Sequence, residues 1–140
     1  AAAQLLEEDK PAEALPVYQD MAKDGDIPEM FQDLAALMAV RIEWGVGNEE
    51  KGNDDYLAQL KPLMGKSDSP WQAHAYVQAA LIEASTQNYT AAQGHIAAAL
   101  DIEQTPPSLR ERARALGHIY ALEMKDAAPA EGDKDQEPQG

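Results

Sequence analysis

The chain is expected to be all-α, an α-solenoid in which about seven helices stack as successive pairs. Three observations predict this. Alanine supplies 26 of the 140 residues while Phe occurs once and Trp twice, a composition suited to helices that approach closely through small side chains. Apolar residues recur at helical spacing, and no alternating strand pattern competes with them. Pro28, Pro70 and Pro106 open helical segments 42 and 36 residues apart, a period that fits stacked helix pairs.

Residues 1–9 read as a short first helix. A second covers 11–23, with Pro11, Ala14, Tyr18 and Met21 on one face. Pro16 lies deep enough in it to weaken it, kink it or postpone its start. Gly25 in DGD is its stop signal. The third begins at Pro28, whose missing N–H costs nothing at a first helical position. Phe31, Leu34, Ala35, Met38 and Ile42 form its core-facing stripe, and Gly45 and Gly47 end it. VGNEEKGNDD is then a polar loop of helix breakers.

A fourth helix, 54–64, turns Tyr56, Leu60, Leu63 and Met64 inward. Ser69-Pro70 supplies an N-cap and first position for a fifth, which runs to Thr86 around Ala73, Val77, Ala80, Leu81 and Ala84. The sixth, 89–101, places Tyr89, Ala92, Ile96, Ala99 and Leu100 on one face. Thr105-Pro106 repeats the capping device and opens a seventh to Met124 around Leu109, Ala113, Leu116 and Tyr120. From Lys125 the chain carries no apolar side chain larger than Ala. Residues 125–140 are therefore expected to be a disordered tail on a domain of 1–124.

Residues 87–106, QNYTAAQGHIAAALDIEQTP, and 9–28, DKPAEALPVYQDMAKDGDIP, look like the second helices of two such pairs. QNYTAAQGHIAAAL resembles the second half of a tetratricopeptide repeat. Asn88-Tyr89, Ala92 and Ala99-Leu100 fall at that family's spacing, with Gln87 in place of its glycine. DKPAEALPVYQDMA matches through Glu13-Ala14-Leu15 and Tyr18. The first helices do not keep the family's Trp-Leu-Gly-Tyr pattern, so its consensus peptide-groove residues are not carried over.

Across most of the chain, FQDLAAL, LKPLMGKSDSPWQAHA and TPPSLRERARAL resemble a bacterial family of membrane-anchored tetratricopeptide-like proteins, the YfgM-like ancillary subunits of the Sec translocon. The resemblance implies an inner-membrane anchor upstream of residue 1 and a domain facing the periplasm. It also implies contact with the translocon, its partner chaperones or an exported polypeptide. The start AAAQLLEE, with neither Met nor a capping residue, fits the cut edge of a longer protein.

Charge and chemistry narrow the function. Twenty-five acidic residues against 11 basic ones give a net charge of −14, which argues against nucleic acid and anionic lipid as partners. Without cysteine there is neither a disulfide nor a thiolate metal site. The longest apolar run, Leu34 to Val40, is far too short to span a bilayer. His74, His95 and His118 lack ligand spacing, and the acidic clusters at Glu7-Glu8-Asp9, Asp24/Asp26 and Glu49-Glu50/Asp54-Asp55 lack a calcium-loop pattern. Asp54-Asp55 suits a helix start instead. Neither metal nor cofactor is expected. Nor is an enzyme, because no nucleophile elbow, phosphate loop or Ser/His/Asp spacing occurs.

Four residues are candidates for protein contact: Arg110, Arg114, Trp44 and Tyr76. In RERAR, Arg110 and Arg114 are i,i+4 neighbours while Arg112 points roughly the other way. They would grip an acidic partner or, the favoured reading, pair with Asp101, Glu103 or Glu111. Trp44 ends its helix and Tyr76 lies off the buried stripe, so both are aromatics of the kind interfaces use. Trp71 reads as core. The expected function is a scaffold or chaperone-like contact at the translocon, acting by surface complementarity and excluding anionic partners. The alternatives are a cytoplasmic adaptor unrelated to secretion, an accessory domain of a larger enzyme, and a self-assembling module.

Overall fold

A computed structural model describes residues 10–127, which form six α-helices and no strand. They are α1 (Pro11–Lys23), α2 (Glu29–Val46), α3 (Asn53–Met64), α4 (Gln72–Ser85), α5 (Tyr89–Asp101) and α6 (Pro107–Ala127). The helix expected over 1–9 lies outside the described residues. So does the expected tail from residue 128 on, α6 running three residues past Met124. Each helix packs on its neighbours in sequence, and α4 also touches α6.

Pro11 opens α1, where the Lys10 carbonyl accepts from the Glu13 and Ala14 N–H groups at 3.1 and 3.2 Å. Pro16 sits inside this helix without ending it. It is exposed, so the carbonyl it strands can turn to water.

In α2 the expected stripe is corrected. Phe31 is 44% exposed, and Leu34 and Met38 are only half-buried, whereas Leu37, Val40, Ala35 and Ile42 are buried. The reason is that α2 is covered on two sides. Ile42 meets Ala14, Leu15 and Tyr18 of α1, while Leu37 and Val40 join Tyr56, Leu60 and Leu63 of α3. A single amphipathic stripe cannot describe a helix with two neighbours.

The same geometry makes α4 the centre of the molecule. Ala75, Ala79 and Ile82 face α2 and α3, while Ala73, Val77 and Ala80 face α5 and α6. Alanines on both faces let helices approach from either side. Ser69-Pro70 lies two residues ahead of this helix, and the Ser69 Oγ accepts from the Trp71 N–H at 3.2 Å.

Helix α4 ends in a Schellman turn. The Gln87 N–H donates to the Ala84 carbonyl (2.9 Å) and the Asn88 N–H to the Glu83 carbonyl (3.0 Å). The turn needs a left-handed residue, and Gln87 supplies it at φ 65°. This is the position where the tetratricopeptide pattern has glycine. Helix α5 matches its expected limits. Beyond it Thr105 is buried, and its hydroxyl donates to the Ala99 carbonyl at 2.8 Å, closing the end of α5. Helix α6 crosses α5 tightly at Gly117, where a Cβ would sit 3.2 Å from Ile96 Cγ2.

Candidate protein-interaction site

Of the four candidates, the aromatics are tied into the scaffold. Trp44 is half-buried against the α2–α4 core, and its indole N–H donates to Asn53 Oδ1 at 3.1 Å. Asn53 in turn donates to the Ile82 carbonyl (3.2 Å) and to Ser85 Oγ (2.9 Å), so one amide joins the end of α2, the start of α3 and the end of α4. Tyr76 is half-buried against the α4–α6 core and tilts over His95, ring centroids 6.2 Å apart. Trp71, expected as core, packs with α2–α4 and donates its indole N–H to the Met30 carbonyl at 2.9 Å.

The arginines separate. Arg110 forms none of the expected carboxylate pairs. Its two Nη groups donate to the Leu100 and Ile102 carbonyls, both at 2.8 Å. These carbonyls lie where α5 runs out of its own N–H donors, so a cation there also opposes the negative end of the helix dipole. Arg114 is exposed and meets no carboxylate among the described residues.

Sequence reasoning passed over Arg41. Its Nε donates to Oε1 of the buried Gln78 on α4 at 3.3 Å, and its Nη1 reaches Met38 Sδ at 3.9 Å. Arg41 keeps solvent contact, yet burial of its guanidinium and then the nearby charge of Arg112 on α6 hold it below the ordinary arginine range. His74 of α4 lies within reach of its charge. Burial first, then the Arg41 charge, push this imidazole down. Its Nδ1 is buried and closes no hydrogen bond, and its ring meets Trp71 edge-on at 5.3 Å. No pattern within one helix reveals this group, because α2 and α4 each contribute a part.

Lys66, Lys51 and His95 face carboxylates. Lys66 Nζ bridges Glu29 (2.7 Å) and Asp33 (2.8 Å), and hydrogen bonds to both carboxylates push it up to about 12. Lys51 Nζ holds the nearly buried Glu43 at 2.8 Å, lowering that carboxyl against the opposing effect of burial. His95 Nε2 stands 3.5 Å from Glu83 Oε2, at a cleft of ≈ 280 Å³ shared with Asp54 and Lys61. That cleft has no Ser, Thr or Cys in its lining. A second cleft of ≈ 350 Å³, lined by Ser67, Ser69, Asp68 and Thr105, has no histidine. Among the described residues no three His, Asp or Glu side chains converge as a metal site, and no helix is long and apolar enough to cross a membrane.

Exposed large apolar side chains are Met30 and Phe31 at the start of α2, Ile119 and Leu122 on α6, and the single residues Val17 on α1 and Val46 at the end of α2. What the molecule presents is therefore a faceted helical surface carrying arginines and scattered apolar groups. No family model, curated protein or solved structure matches this chain.

Proposed function

We propose that the chain is a non-catalytic protein-interaction module with a tetratricopeptide-like α-solenoid arrangement. It belongs to an inner-membrane protein and faces the periplasm as an ancillary or chaperone-like subunit of the Sec translocon. The observation that carries the interaction reading is the order of packing. Helices beginning near Pro28, Pro70 and Pro106 alternate with α1, α3 and α5, and each lies against its sequence neighbours around the shared α4. Stacked pairs of this kind bury a continuous core and leave a long outer surface for partners. The left-handed residue at Gln87, just ahead of Asn88-Tyr89, adds support for the tetratricopeptide likeness. The translocon assignment rests on the FQDLAAL, SPW and TPPSLRERARAL motifs.

The test is site-specific photocrosslinking in bacterial membranes from the full-length protein, with the probe at Phe31 or Arg114. Adducts with a translocon subunit are the expected result. Their absence from both positions, together with an upstream sequence lacking about 20 consecutive apolar residues, overturns the membrane assignment in favour of a cytoplasmic adaptor.

A further inference from the structure

Glu43 and Glu83 occupy matching places near the ends of α2 and α4, and each side chain is largely withdrawn from water, at 11% and 17% exposure. Each accepts on one oxygen from an asparagine amide five residues on. Asn48 Nδ2 donates to Glu43 Oε2 and Asn88 Nδ2 to Glu83 Oε1, both at 3.0 Å. The second oxygens differ. Glu43 Oε1 holds Lys51 Nζ at 2.8 Å, whereas the nearest cation-forming group at Glu83 Oε2 is His95 Nε2, at 3.5 Å. Charge-assisted hydrogen bonds close to about 2.7–2.9 Å, so the histidine leaves that oxygen open. The connecting segments explain the difference. Residues 47–52 join α2 to α3 and carry Lys51 back to Glu43, while the shorter turn Thr86-Gln87-Asn88 joins α4 to α5 and contains no cation. One carboxylate is answered from within the chain. The other is not.

We propose that the cleft at Glu83 receives a lysine side chain of a partner polypeptide, whose ammonium takes on Glu83 Oε2 the place that Lys51 takes on Glu43. The site rests on the protein-interaction reading above and gives it a partner chemistry. The cleft, ≈ 280 Å³, is lined from α3, α4 and α5. Asn53, bonded to the Ile82 carbonyl and Ser85 Oγ, sets the start of α3 against the end of α4, so Asp54 adds a second carboxylate at the Glu83 end. Leu57 and Met64, both half-buried, offer apolar surface to the methylene stem of the incoming side chain. Lys61 lines the same cleft and meets no carboxylate among the described residues. It lies two turns along α3 from Asp54, about 10 Å by helical rise, and its charge turns an entering cation toward the Asp54 end. One open oxygen suits an ammonium. A guanidinium fork needs two, and Asn88 already holds the other. The net charge of −14 draws cationic segments toward the surface.

The test follows backbone amide shifts of the isotope-labelled chain by NMR as the terminally blocked peptide Ala-Leu-Lys-Leu-Ala is added, with Ala-Leu-Gln-Leu-Ala as the neutral comparison. Saturable shifts at Leu57, Glu83 and His95 are expected with the lysine peptide alone, weakening as salt rises. Ala-Leu-Arg-Leu-Ala should bind more weakly. Glu83→Gln should lower affinity about five- to ten-fold while keeping an acceptor for Asn88. Asp54→Asn, at an exposed position that folding does not depend on, should weaken binding about two-fold. Absence of saturable shifts overturns the site. So does equal binding of the glutamine peptide, or binding indifferent to both substitutions, and an arginine peptide that binds as tightly overturns the choice of lysine. These outcomes leave the translocon reading intact, since that depends on the crosslinks from Phe31 and Arg114.

Discussion

Arg110 aims two donors at carbonyls that α5 leaves open, so this charged side chain acts as a cap placed by the following helix. Truncating it strands those carbonyls at a half-buried corner, beside the Thr105 hydroxyl that closes the same end. Arg110→Ala is expected to cost about 1–2 kcal/mol in urea unfolding, the range for losing charge-assisted hydrogen bonds. Arg110→Lys should fall between, since one ammonium cannot span two acceptors as a fork does. Arg114→Ala, at an exposed position with no partner among the described residues, should stay within about 0.5 kcal/mol of the parent. The two arginines are four residues apart and chemically identical. Only their surroundings distinguish them.

At the scale of the element, the end of α4 carries a local strain. A left-handed conformation presses the Gln87 Cβ toward its own carbonyl, a conflict that glycine lacks. Gln87→Gly should therefore raise stability by about 0.5–1 kcal/mol in thermal melts, the relief being partly offset by the freedom glycine adds to the unfolded chain. Asn88→Ala gives no such gain. The limits of α5 were legible in the sequence because Asn88-Tyr89 and the turn before Pro106 bracket one clean apolar face. The face of α2 was not. Its residues divide between α1 on one side and α3 on the other, and periodicity within a helix cannot report how many neighbours it has. The arginines of α6 were half legible for a related reason. RERAR drew attention to Arg110 and Arg114, but its spacing could not show that Arg110 would meet the Leu100 and Ile102 carbonyls in place of a carboxylate.

For the whole molecule, pH is the cleanest lever. The folded chain holds His74 below its ordinary value of 6.5 by burial and by the Arg41 charge. Below 6.5 the unfolded chain accepts a proton that the folded chain still refuses. Stability should then decline as pH falls toward the folded value and level off beneath it. Glu43, lowered by Lys51, contributes stability above 4.5 that is lost as pH falls through its folded value. Melting temperatures should thus fall in two stages on acidification, and His74→Gln should flatten the stage that begins at 6.5 while leaving the lower one. Equal slopes in both proteins would show that His74 is not the source.

The two tryptophans are pinned at opposite ends of α2, Trp71 to the Met30 carbonyl and Trp44 to the Asn53 amide. Each indole hydrogen bond joins that helix to a different neighbour. The protein thus carries a pair of built-in optical gauges. A ligand that slid α2 along α4 would register in Trp71 emission, one that loosened α2 from α3 in Trp44, and single Trp→Phe variants would tell the two movements apart without any added dye.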